Sequence, residues 1–96
     1  MYAVMRRYYG GGANKLFGVI EKNKAEVEGL MRPIKGLVSY SLVRTDDGGF
    51  SVTVCEDKAG TDESVRTARD WVAKNARGIR AAAPIVVEGP VILHLK

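Results

Sequence analysis

The sequence predicts an α+β fold in the order strand, helix, strand, strand, helix, strand. Three observations predict it. Leu37 to Val43 and Phe50 to Val54 are rich in β-branched and aromatic residues and flank Asp46-Asp47-Gly48-Gly49, a hairpin signal. Two stretches, Ala13 to about Met31 and Thr61 to about Ala76, carry apolar residues at helical spacing. Tyr2 to Tyr9 and the segment after Pro84 read as the first and last strands.

In the first strand Tyr2, Val4, Arg6 and Tyr8 share one face and Ala3, Met5, Arg7 and Tyr9 the other. Gly10-Gly11-Gly12 then breaks it. No Gly-Lys-Ser/Thr follows and no G-x-G-x-x-G spacing exists, so the run reads as a flexible connection and not as a phosphate loop. Leu16, Ile20, Val27, Leu30 and Ile34 form the stripe of the first helix, with Asn14 as candidate N-cap and Pro33 and Gly36 ending it. In the hairpin, a two-residue loop at Asp47-Gly48 or a four-residue loop over Asp46–Gly49 sets Val43 opposite Val52, Ser41 opposite Val54 and Thr45 opposite Phe50. Val38, Tyr40, Leu42 and Arg44 share the other face with Ser51, Thr53 and Cys55. Neither face is fully polar, so both are expected to be covered.

Thr61-Asp62-Glu63 makes a hydroxyl-capped, acidic helix start. Val65, Ala68, Val72, Ala76 and Ile79 form its stripe, Trp71 sits at the edge, and Gly78 stops the helix. Ile85 to Val87 and Val91 to Leu95 read as strand, interrupted at Glu88-Gly89-Pro90 by a bend, bulge or edge. Two split βαβ units with right-handed crossovers give a four-stranded antiparallel sheet with both helices on one face. The other face is then bare and partly apolar. A two-fold homodimer, sheet against sheet, is the simplest cover.

Ninety-six residues, 46% of them hydrophobic and 27% charged, fit one domain spanning 1–96 around one core. No apolar run spans a bilayer and no signal peptide is evident, so the expected location is cytoplasmic, without membrane contact. The lone Cys55 allows no internal disulfide and reads as a small buried hydrophobe. Net charge is +4, from 15 basic and 11 acidic residues mixed along the chain, which helps attract an anion but is no nucleic-acid footprint. RNA-recognition domains share this strand order, yet Gly49-Phe50-Ser51-Val52-Thr53-Val54 offers one aromatic where base stacking needs several. Paired acids, a nucleophile with its base, and metal-ligand spacing are all absent.

The pattern resembles the dimeric α+β barrel superfamily of ferredoxin-like domains, in particular the small antibiotic-biosynthesis-monooxygenase-like proteins. The residues that carry the resemblance are Gly36-Leu37-Val38-Ser39-Tyr40, Asp47-Gly48-Gly49 before Val52-Thr53-Val54, Glu56-Asp57-Lys58 leading to Glu63-Ser64, and Trp71-Val72. It covers nearly the whole chain. It implies a sheet-paired dimer and, in different members, cofactor-free oxidation of polyketide-like aromatics, haem degradation, haem-dependent peroxide decomposition, or no assigned activity. Haem-degrading relatives resemble one another in a histidine ligand with an asparagine–tryptophan pair nearby. Here His94, in the last strand, is the only histidine, which argues against haem. No cofactor is expected.

The expected function is to bind or oxidise a small organic molecule in a cofactor-free pocket. The alternative is a non-catalytic interaction protein with a packed dimer centre. Candidate ligand-binding residues are Tyr40, Arg6, Trp71, Asn14 and His94. A buried tyrosine needs a hydrogen-bond partner, which marks Tyr40. Arg6 and Arg7 point to opposite faces, so one of them enters a covered layer, where it needs an anion or carboxylate. Trp71, Tyr40 and Asn14 would supply the polar and aromatic pocket of the cofactor-free relatives, against the plainer reading of Trp71 as a packing residue. His94 reads first as a strand-end histidine and second as a base or ligand.

Overall fold

A computed structural model describes all residues, Met1–Lys96. The elements are β1 (Tyr2–Tyr9), α1 (Ala13–Lys22), α2 (Lys24–Met31), β2 (Leu37–Thr45), β3 (Gly48–Cys55), α3 (Lys58–Asn75) and β4 (Ile85–Pro90). They form one antiparallel sheet in the order β2-β3-β1-β4, with the helices on one face. This is the expected ferredoxin-like α+β arrangement. The core lies between sheet and helices and centres on Leu16, Phe17, Ile20, Val27, Met31 and Trp71. Each such side chain contributes roughly 1.5–3 kcal/mol by leaving water.

The hairpin forms two residues out of the expected register. Thr45 pairs with Gly48, Val43 with Phe50 and Ser41 with Val52, so the loop is Asp46-Asp47 alone. The glycines are strand residues. A Cβ on Gly48, at φ +148°, would lie 2.4 Å from the Tyr8 carbonyl oxygen, and one on Gly49 2.4 Å from the Phe17 ring. They are small because α1 and β1 press against them. A slip of two keeps every side chain on its face, and Tyr40, Leu42, Ser51, Thr53 and Cys55 still face the helices. A bulge between Leu37 and Ser39 turns Leu37 towards the core as well.

The single helix expected over Ala13–Met31 is two. Asn23, at φ −117° and ψ 30°, separates α1 from α2, and its amide donates to the Val19 carbonyl at 2.8 Å. Asparagine competes with helical backbone pairing in this way. Asn14 caps nothing: α1 starts after Gly12, and the Asn14 side-chain oxygen accepts from Arg44 Nη2 at 2.9 Å. Nor is Thr61 the cap of α3. Asp57 takes that place, accepting from the Gly60 N–H at 3.1 Å, and the helix begins at Lys58. Gly60, Thr61 and Ser64 are buried against β3, where a Gly60 Cβ would lie 2.8 Å from Cys55 Cβ.

β4 runs through Glu88-Gly89-Pro90 without a break. Proline lacks an N–H, and Val91 instead makes the last bond to the sheet, to the Met1 carbonyl at 3.0 Å. Residues Val91–Lys96 then leave the sheet, with Ile92, Leu93 and Leu95 exposed, so the expected strand over Val91–Leu95 does not form. The sheet face away from the helices carries Met5, Val43, Phe50, Val52, Ile85 and Val87, and no element of the chain covers it.

Candidate functional site

Period-two alternation decides the fates of the two adjacent arginines of β1. Arg7 lies on the helix-free face and pairs with Asp47 at 3.3 Å, at the surface. Arg6 points under the helices and is only 7% exposed. Its Nη2 donates to the Tyr8 hydroxyl at 2.7 Å, and its carbon centre lies 5.5 Å from the Tyr8 ring centroid. No carboxylate pairs with it, and its buried Nε–H has no acceptor. A buried charge without a counter-charge is costly, which makes this the most unusual group in the core.

Arg6 opens into a pocket of about 410 Å³. Arg6, Tyr8 and Val86 form its floor on β1 and β4. Leu16 of α1 and Arg69, Val72 and Ala76 of the α3 side form the walls. The chain from Ile79 to Pro84, with Ala81-Ala82-Ala83 at its middle, forms the rim. That rim is anchored where the Gly12 N–H donates to the Arg80 carbonyl at 3.2 Å. A Cβ on Gly12 would lie 2.8 Å from that oxygen, so glycine is required for the approach. Nine of the twelve lining residues are hydrophobic and none is acidic. The pocket thus combines a mostly apolar wall with a few polar groups, as small-molecule sites do.

Tyr40 and Trp71 meet elsewhere, on the other side of α3. They line a 30 Å³ apolar cavity with Ile20, Val27, Met31 and Val72. Trp71 is buried, and its indole N–H donates to the Glu26 carboxylate at 2.9 Å. The Tyr40 hydroxyl has its pKa pushed up to about 12, chiefly by burial; Arg6 pulls it down and Tyr8 pushes it up. Tyr40 also borders an open groove of about 450 Å³ between α2 and β2, beside Lys24, Glu28 and Arg32. Arg32 and Glu28 there pair with one another. Asn14 lies at the surface, where Arg44 binds it and also Glu21, at 2.9 Å. His94 lies in the tail beyond β4 and lines neither the Arg6 pocket nor the Tyr40–Trp71 cavity. Cys55 is fully buried, and burial, then Asp57 and Glu63, push its thiol pKa up.

Of the five sequence candidates, then, only Arg6 lines this pocket, while Tyr40 lines the groove beside α2. Sequence reasoning missed Tyr8, Arg69 and the Ile79–Pro84 rim. Tyr8 was findable, because it shares the Arg6 face two residues on. The rim was not, because a run of alanines marks no chemistry.

This architecture recurs in solved structures. A protein of unknown function from Nitrosomonas europaea is similar at TM-score 0.69 and 15% identity, covering 99% of this chain and 91% of that one. MhuD, a haem-degrader from Mycobacterium tuberculosis solved with two haems in its active site, is similar at TM-score 0.69 and 16% identity over 100% of both chains. A monooxygenase from the ActVA-Orf6 gene of Streptomyces coelicolor, solved with nanaomycin D, is similar at TM-score 0.61 and 17% identity, covering 99% of this chain and 90% of that one. The fold is that of the antibiotic-biosynthesis-monooxygenase-like proteins. No protein-family model matches the sequence, and neither does any curated protein.

Such likenesses convey fold and not chemistry. Because one of these folds holds haem, the donor set of the pocket matters. Haem iron is held by histidine, cysteine, methionine or tyrosine. The pocket contains none of the first three, and its one tyrosine, Tyr8, is engaged by Arg6. The residues present do not fit haem.

Proposed function

We propose that this antibiotic-biosynthesis-monooxygenase-like protein binds a small organic molecule in the pocket between β1, β4 and α3, as a homodimer of one domain per chain. The carrying observation is the pocket itself: about 410 Å³, mostly apolar, with a polar floor at Arg6 and Tyr8. The small-molecule complexes formed by proteins of this fold favour the same reading. Binding is favoured over turnover, because the pocket offers no carboxylate, imidazole or thiol to remove a proton. Tyr40 adds no base, since a phenol with a pKa of about 12 stays protonated at neutral pH.

The dimer follows from the uncovered face of the sheet. Ile85 is 48% and Val87 61% exposed, beside Met5, Phe50 and Val52. Arg7, paired with Asp47, is the one charged group among them. A second copy presents the same apolar surface and closes it by a two-fold axis.

Native mass spectrometry of gently purified protein tests both parts. The expected result is twice the chain mass with a small adduct that leaves on denaturation, and a Val87→Glu variant that runs as monomer. A monomeric wild type would refute the dimer. A clean dimer with no adduct, inert to small-molecule probes, would favour the interaction-protein alternative.

A further inference from the structure

We infer that the ligand of this pocket is a compact organic anion of the carboxylate class, gripped at its charged end by Arg6 and along its body by the apolar walls. The inference rests on the small-molecule reading above and names the ligand chemistry. Four observations converge on it. Arg6 is 93% buried by its 7% exposure, yet lacks any acidic partner. Of the five N–H donors of its guanidinium, one, on Nη2, serves an acceptor, the Tyr8 hydroxyl, and the buried Nε–H serves none. Tyr8 accepts that bond through its oxygen, which leaves its own O–H proton free to donate. Arg69, the other charged lining residue, is also a cation and makes no ion pair.

Every charged lining group is therefore positive and none is negative. A neutral ligand would leave the Arg6 charge uncompensated. A cation would add repulsion. A carboxylate offers two oxygens to a planar guanidinium and replaces the missing counter-charge. The remaining walls, Leu16, Val72, Ala76, Ile79 and Val86, suit a hydrocarbon body and not a sugar or a nucleotide.

The test compares 1-naphthoate with its neutral counterpart 1-naphthamide by calorimetric titration. The wild type is expected to prefer the acid by at least about tenfold, the scale of one hydrogen bond to a charged group. In Arg6→Met that preference should collapse to near unity while the amide still binds. In the wild type, the Arg6 Nε–H resonance should shift on adding the acid and stay with the amide, a readout that needs no variant to fold. Equal affinities for acid and amide would overturn the anion inference and leave the pocket reading standing. Binding of neither at millimolar concentration would overturn the pocket reading, and the inference with it.

Discussion

The two cavities beside α3 differ in one respect. Around Trp71 and Tyr40 the indole N–H has found Glu26, and what remains is a 30 Å³ apolar gap. Around Arg6 a pocket of about 410 Å³ ends on a guanidinium with an unused donor. Both contain large polar-capable side chains under the same helices. The first is packing whose indole N–H is satisfied from within the chain. The second leaves a demand that the chain does not meet. An unmet demand inside the fold separates a candidate site from a packing defect better than the residue types do, for Trp71 and Tyr40 look more like pocket residues than Arg6 does.

The sharpest break of this comparison is Trp71→Ala. If Trp71 is packing, truncation costs about 3–5 kcal/mol in urea unfolding, as for other buried aromatics, and a loss below about 1 kcal/mol would return Trp71 to the list of ligand residues.

Next in size is the Tyr40 hydroxyl. Its folded pKa of about 12 stands above the ordinary value of 10.0. Below pH 10 both states keep the proton and its contribution is fully present. Between pH 10 and about 12 the unfolded chain releases the proton first, so stability falls as pH rises. The shift is worth about 2–3 kcal/mol by pH 12. Tyr40→Phe should show a shallower fall over that window than the wild type, and parallel curves would place the hydroxyl in water.

The smallest effect, and opposite in sign, is expected at Arg6. Arg6→Met removes a buried, unpaired charge and should raise unfolding stability by about 1–2 kcal/mol in ligand-free protein. Destabilisation would mean that the Tyr8 bond and the contact with its ring outweigh the buried charge, and the two cavities would then be alike.

Much of the fold was legible. Period-two alternation assigned faces correctly in β1, in β3 and in β2 beyond its bulge, and that is why a hairpin two residues out of register still put Tyr40 under the helices. The register itself was not legible. Gly48 and Gly49 signal a turn in sequence, whereas their use here is to admit Tyr8, Ala13 and Phe17. The break at Asn23 escaped because the apolar stripe continues across it, and Asp57 was overlooked beside the more conspicuous Thr61. At the site, alternation showed that one of Arg6 and Arg7 had to enter a covered layer. Which one it was, and that no acid awaited it, depended on contacts between residues distant in sequence.

The rim of the pocket has a consequence for how such a protein can change. Its fastening at Gly12, like the packing of Ile79 and Ala81 against the core, is separate from Ala82 and Ala83, which border the opening and face water. Larger side chains there would narrow the mouth without entering the core. Selectivity for ligand size and the integrity of the fold are thus written in different residues, and a lineage or an engineer can revise the first while leaving the second intact.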